Sequence, residues 1–135
     1  MDIKKERIIK KIKDILLEEE NIIFAYVHGS FTSLSEFNDI DIAVYLKLQG
    51  TVHFDIVDFE ISLSLKIEKI IKVPVDIRTL NYAPLPFKYQ ASCGLLIFSF
   101  DELKREEFLC RTWQKYFDSL PLYRMYLKDV LNAKV

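Results

Sequence analysis

Asp39, Asp41 and Asp76 are the residues whose type and spacing point most directly to chemistry. Asp39-Ile40-Asp41 opens an aliphatic stretch, Ile42-Ala43-Val44-Tyr45-Leu46. Successive side chains of a strand point to opposite faces. Asp39 and Asp41 then share a face with Ala43 and Tyr45, and Ile40, Ile42, Val44 and Leu46 form the core face. The two carboxylates stand about 7 Å apart at the backbone. Like charges this close raise each other's pKa unless something positive lies between them. Aspartate is also disfavoured in strands. A divalent cation removes the conflict, and Mg²⁺ suits one or two carboxylates that leave positions open for phosphate oxygens. Val75-Asp76-Ile77-Arg78 repeats the alternation, with Asp76 and Arg78 on one face. If this segment lies beside the first, Asp76 joins the pair. Three carboxylates on an open sheet face can hold two metal ions roughly 4 Å apart, as in-line phosphoryl or nucleotidyl displacement requires.

Gly29-Ser30 ends an earlier apolar run, Ile22-Ile23-Phe24-Ala25-Tyr26-Val27-His28. A glycine there lets a phosphate approach the backbone closely. Free N–H groups at the start of a following short helix, with the Ser30 hydroxyl, can face an anion. An anion cradle beside a metal site is what a nucleoside triphosphate with Mg²⁺ needs.

These groups need a sheet to hold them. Strands are expected over 22–28, 39–47, 73–80 and 95–100. Residues 2–20 read as an amphipathic helix, N-capped by Asp2, with Ile8, Ile12, Ile15 and Leu16 inward and the charged residues solvated. A second helix is expected over 53–72, with Phe54, Val57, Ile61, Leu65 and Ile70 on its apolar face, His53 at its start and Asp55, Asp58 and Glu60 on a solvated face. Pro84 and Pro86 break the chain before a short helix from about Phe87 to Ser92, which stops at Gly94. Asp101 caps a final helix that Pro121 kinks or ends. Together these predict an α/β (α+β) domain with one small mixed sheet of about four strands and helices on one face.

The combination of Gly29-Ser30, Asp39-x-Asp41 and Val75-Asp76 resembles the DNA polymerase β-like nucleotidyltransferase superfamily, and within it the minimal nucleotidyltransferase (MNT) group. The similarity extends from the N-terminal helix through Pro74–Asn81 and Gly94–Phe98 to the aromatic-rich C-terminal helix. It implies a nucleotidyltransferase fold, Asp39, Asp41 and Asp76 as catalytic Mg²⁺ ligands, and Gly29 and Ser30 as triphosphate-binding residues. It further implies an antitoxin of a HEPN/MNT toxin–antitoxin pair, which transfers AMP from ATP to a tyrosine of a HEPN ribonuclease and silences it. The eight residues between Ser30 and Asp39 make a shorter stretch than in typical members. Phe31-Thr32-Ser33-Leu34 stands where a basic residue and a second glycine are common.

The remaining features bound the reading. The chain has 135 residues, one domain's worth, expected to span 1–135. Its net charge is −1, which argues against a large nucleic-acid footprint. The mixed-charge start and the lack of a long apolar run predict neither a secretory leader nor a membrane span. Cys93 and Cys110 form no CxxC pair and read as inert small hydrophobes in a reducing cytoplasm. His28 reads as a strand-end residue with a local hydrogen bond that could also approach the site. Lys47, Arg78 and Lys88 are candidates to neutralise phosphate, and Arg78 could instead pair with Asp76. Trp113, Tyr116, Tyr123 and Tyr126 form an aromatic stripe, expected first as core and second as a partner surface. Two alternatives to protein adenylylation stand: a non-catalytic module that masks its partner, and an aminoglycoside-type nucleotidyltransferase, for which the chain leaves little room.

Overall fold

A continuous apolar run along Ile22–His28 and the aliphatic alternation of Ile40–Leu46 produce strands β1 and β2, which pair antiparallel. The computed structural model describes residues 2–33, 35–48 and 54–133. His53 and Leu34 lie outside the described residues. Helix α1 is Ile3–Leu16, and Asp2 caps it as expected by accepting the Lys5 amide at 2.7 Å. Helix α2 is a single turn, Ser30–Ser33. Helix α3, Ile56–Ile71, crosses from β2 to β3, Val75–Thr79, and a parallel β2/β3 pair needs such a crossover. Helix α4 is Leu85–Ser92, β4 is Leu95–Ser99 and α5 is Glu102–Ala133. The strand order is β3-β2-β1-β4, with β4 antiparallel to β1. The expected mixed four-stranded sheet is therefore present.

One sheet face, with Ala25, Val27, Ile40, Ile42, Val44 and Ile77, packs on Ile12, Ile15 and Leu16 of α1 and on Leu63 and Ile67 of α3. The other face does not stay bare, and this corrects the expectation of helices on one side. Phe24, Tyr26 and Tyr45 present too much apolar surface to leave in water. Ala91 of α4 and Phe108 of α5 cover them, with the Phe108 ring 5.5 Å from both Phe24 and Tyr45. This second layer leaves the end of the sheet that carries Asp41 and Asp76 less covered.

Several local readings change. In α3 the expected apolar face is turned outward: Val57, Ile61, Leu65 and Ile70 are exposed, and Leu63 and Ile67 are buried. Apolar residues lie all round this helix, so its own periodicity does not choose a side; the approach of β3 does. Glu60 is not merely solvated, because its carboxylate accepts the Thr79 amide at 2.7 Å. Glu68 accepts the Val75 amide at 2.8 Å. These two bonds occupy outward N–H groups of β3 at the sheet edge and fix its height against β2. Replacing Glu68 with alanine is expected to cost about 1–3 kcal/mol of stability, since it strips a backbone donor of its charged acceptor; urea unfolding of the variant measures it.

Pro84 and Pro86 do not break the chain but begin α4. Pro84 is the N-cap, and Pro86 lies in the first turn, where no amide is needed. Helix α5 continues through Pro121. Its first half packs by Trp113 and Tyr116 on Tyr89 of α4, with Tyr89 and Tyr116 stacked at 3.9 Å. Tyr123 and Tyr126 are exposed, so the stripe divides into a packed part and a bare part. Cys93 and Cys110 are free and exposed rather than buried. Lys5, read as solvated, is buried; its ammonium donates to the Phe31 carbonyl at 2.6 Å and lies over the Phe31 and Phe37 rings. That contact ties α2, and the Gly29-Ser30 turn before it, to α1.

Candidate active site

Asp41 stands between two neighbours set by strand register. On the antiparallel side its partner is His28, and on the parallel side its partner is Asp76. Adjacent strands lie about 4.8 Å apart, so the sheet itself brings the three together. Asp39 precedes β2 and is exposed. The juxtaposition expected from alternation, Asp76 beside Asp41, is present in the backbone.

The carboxylates do not close into a cage. Among the described residues, no three acidic, histidine or cysteine side chains are grouped so as to enclose a metal ion. Asp76 instead pairs with Arg78 through an Nε–Oδ2 contact of 3.2 Å. The Arg78 guanidinium also lies 5.5 Å from the Phe87 ring centre. Of the phosphate-neutralising candidates, only Arg78 is thus shown beside the carboxylates. The donor set still fits a hard divalent cation. Burial raises the Asp41 pKa; His28 lowers it, and the neighbouring Asp39 and Asp76 charges raise it. Asp41 therefore holds a negative charge that its surroundings do not satisfy, which added positive charge relieves.

Gly29 ends β1 at φ +78°, in the left-handed region open to glycine. A Cβ there would overlap Asp41 Oδ2. The absence of a side chain at Gly29 is what lets the Asp41 carboxylate lie against the turn. Ser30 begins α2 beside it. The Thr32 and Ser33 amides and hydroxyls all turn back to the Gly29 carbonyl, so the turn is internally braced.

His28 and Gly94 are contributors that the sequence reading placed incompletely. His28 is buried and meets the Phe87 ring edge-on at 5.4 Å. Burial lowers its pKa; Asp41 and Asp76 act in the opposite sense, and Arg78 adds to the lowering. Gly94, expected as a helix stop, also allows close approach: a Cβ would overlap the Val27 carbonyl and crowd His28 Cβ at 2.9 Å. The α4–β4 turn therefore bears directly on the end of β1. Only a β1–β4 pairing hypothesis could have exposed this role in advance.

A group with a depressed pKa resists protonation when folded and accepts it when unfolded. His28 thus stabilises the native state above its ordinary value of 6.5, and that contribution is lost as pH falls below it. The contribution of His28 is expected to shrink between pH 7 and pH 5, read as the stability difference between the wild-type chain and His28→Gln at the two pH values. Urea unfolding at the two pH values tests this.

Residues 10–103 match the family model described as Polymerase beta, Nucleotidyltransferase. The chain belongs to that family. Comparison with curated proteins gives no match. Among solved structures, this nucleotidyltransferase resembles a chain of a toxin–antitoxin complex with AMP-PNP, at TM-score 0.73 and 21% identity over 91% of this chain and 98% of that one. It also resembles a chain of a complex between a tri-AMPylated Shewanella oneidensis HEPN toxin and its MNT antitoxin, at TM-score 0.72 and 21% identity over 94% of this chain and 98% of that one. At such identity the likeness is one of fold. Among the described residues, no helix is long and apolar enough to cross a membrane.

Proposed function

We propose that this nucleotidyltransferase is the MNT antitoxin of a HEPN/MNT pair and transfers AMP from ATP to a tyrosine hydroxyl of its HEPN partner. The observation that carries the reading is Asp41: a charge-frustrated carboxylate set in register with Asp76, following Asp39, and lying against Gly29. The fold's similarity to chains of toxin–antitoxin complexes supports the choice of partner, and the AMP-PNP and tri-AMPylated complexes support the nucleotide and the modification.

In the reaction the tyrosine oxygen attacks the α-phosphorus of ATP. An O–P bond forms as the tyrosine O–H breaks and its proton passes to solvent; the bond from the α-phosphorus to the bridging oxygen breaks, and pyrophosphate leaves with that electron pair. Asp39, Asp41 and Asp76 would hold divalent cations, which when bound supply charge neutralisation and a more acidic acceptor hydroxyl. Gly29 leaves room for the phosphates near the backbone, and Ser30 offers a hydroxyl donor. Arg78, paired with Asp76, is the basic side chain that stands beside the carboxylates to meet phosphate charge. Burial of His28 keeps it neutral near pH 7, so it does not compete with the cations for Asp41.

The test combines the chain with its HEPN partner, Mg²⁺ and labelled ATP. Labelled partner, with loss of label when the acceptor tyrosine is phenylalanine, supports the proposal. No transfer by the wild-type chain overturns it. A masking antitoxin is the second reading, favoured by the exposed apolar residues of α5, including Leu122, Tyr123, Tyr126 and Leu131. It predicts that Asp39→Ala/Asp41→Ala still silences the partner.

A further inference from the structure

A second charged cluster lies away from the carboxylates and has the opposite sign. A cavity of about 210 Å³ opens between α4 and the first half of α5, against the far end of β2. Tyr45 and Asn81 line its sheet side. Tyr45 is four residues beyond Asp41 on the same face of β2, or about 13 Å along the strand. Phe87, packed on His28 and Arg78, lies on the α4 face near the carboxylates, and Lys88 next to it lines the cavity.

Lys88 contributes one cation. Lys104, Arg111 and Lys115, at spacings of seven and four residues along α5, contribute three more. Glu107 is the one acidic residue of the lining. None of the four cations forms an ion pair among the described residues. A chain of net charge −1 thus concentrates a surplus of positive charge in one concavity. Self-repulsion opposes this arrangement, and a bound anion relieves it. Asn81 cannot supply the compensation, since its amide oxygen and nitrogen are both engaged by the Leu46 backbone, at 2.9 and 2.8 Å. Those bonds do fix the floor of the cavity.

We propose that this cleft binds a small phosphorylated anion carrying at least two phosphate charges. Size and charge select that class. Drug-sized ligands fill roughly 300–1,000 Å³, so the occupant is smaller. A monocarboxylate leaves most of the surplus uncompensated, whereas a polyvalent phosphate matches it. Arg111 offers the planar fork that suits phosphate oxygens, and the lysines supply mobile point charges. The site is separate from the Gly29-Ser30 turn and does not rest on the adenylylation reading.

Pyrophosphate is the probe. The full chain is titrated in chelator-treated, metal-free buffer, with ionic strength held by NaCl, and binding is followed by calorimetry and by backbone amide NMR shifts. Saturable one-site binding is expected, with the shifts centred on Lys88, Arg111 and Lys115. Lys88→Gln/Arg111→Gln is expected to weaken it at least tenfold, and Ser30→Ala to leave it unchanged. A non-saturating response reproduced by extra NaCl overturns the proposal. So do shifts centred on residues 29–33, a result that the wild-type chain alone can give, or selective loss of binding in Ser30→Ala.

Discussion

Asp41→Asn is expected to lower AMP transfer to the partner by about 10²–10⁴-fold while leaving the protein folded and slightly more stable. The two effects share one cause. The Asp41 pKa is raised, first by burial and further by Asp39 and Asp76, so at neutral pH the native state bears a carboxylate that it would hold more cheaply protonated. A raised carboxyl pKa penalises the native state once pH exceeds the ordinary value of 3.8. Asparagine copies the neutral form's shape without the charge, so the penalty disappears and so does the cation ligand. Transfer assays and thermal unfolding on one preparation check both halves. Unchanged transfer would remove Asp41 from the chemistry. A large fall in melting temperature would mean that the carboxylate holds the sheet together instead.

Gly29→Ala is expected to destabilise the chain by about 1–3 kcal/mol and to reduce transfer to the level of the Asp41 variant. The left-handed backbone of Gly29, φ +78°, costs an L-residue about 1–2 kcal/mol. The added methyl also meets Asp41 Oδ2, so the side chain must move or the turn must shift. Either response separates the carboxylate from the phosphate-side backbone. Thr32→Ala is the matched control, because it removes only a hydroxyl bond to the Gly29 carbonyl at an exposed position. Denaturant unfolding together with transfer assays distinguishes the two. A Gly29→Ala variant with wild-type transfer would show that the close packing of turn and carboxylate has no catalytic consequence.

The sheet and the placing of Asp41 beside Asp76 were legible because a strand has a two-residue period and an isolated polar residue on it declares its face. The Asp2 and Asp101 caps were legible for a similar reason, since capping depends on neighbours three residues away. The exposed face of α3 was not, because Val57, Ile61 and Leu65 are as apolar as Leu63 and Ile67 and only contact with β3 separates them. Burial of Lys5 depends on a carbonyl 26 residues distant, which no local pattern encodes. The pairing of Arg78 with Asp76 was foreseen as one of two uses for that arginine. Both groups are more than half exposed, which makes such a pair weak.

The glutamates of α3 have a consequence for how other proteins can engage this one. With the Val75 and Thr79 amides already satisfied, an incoming extended peptide finds few donors along β3 and gains little by lengthening the sheet there. Recruitment through strand addition is closed on that flank. On that flank a binding partner is recognised through side chains and helix surfaces, and the same two bonds guard the β3 edge against pairing with copies of itself.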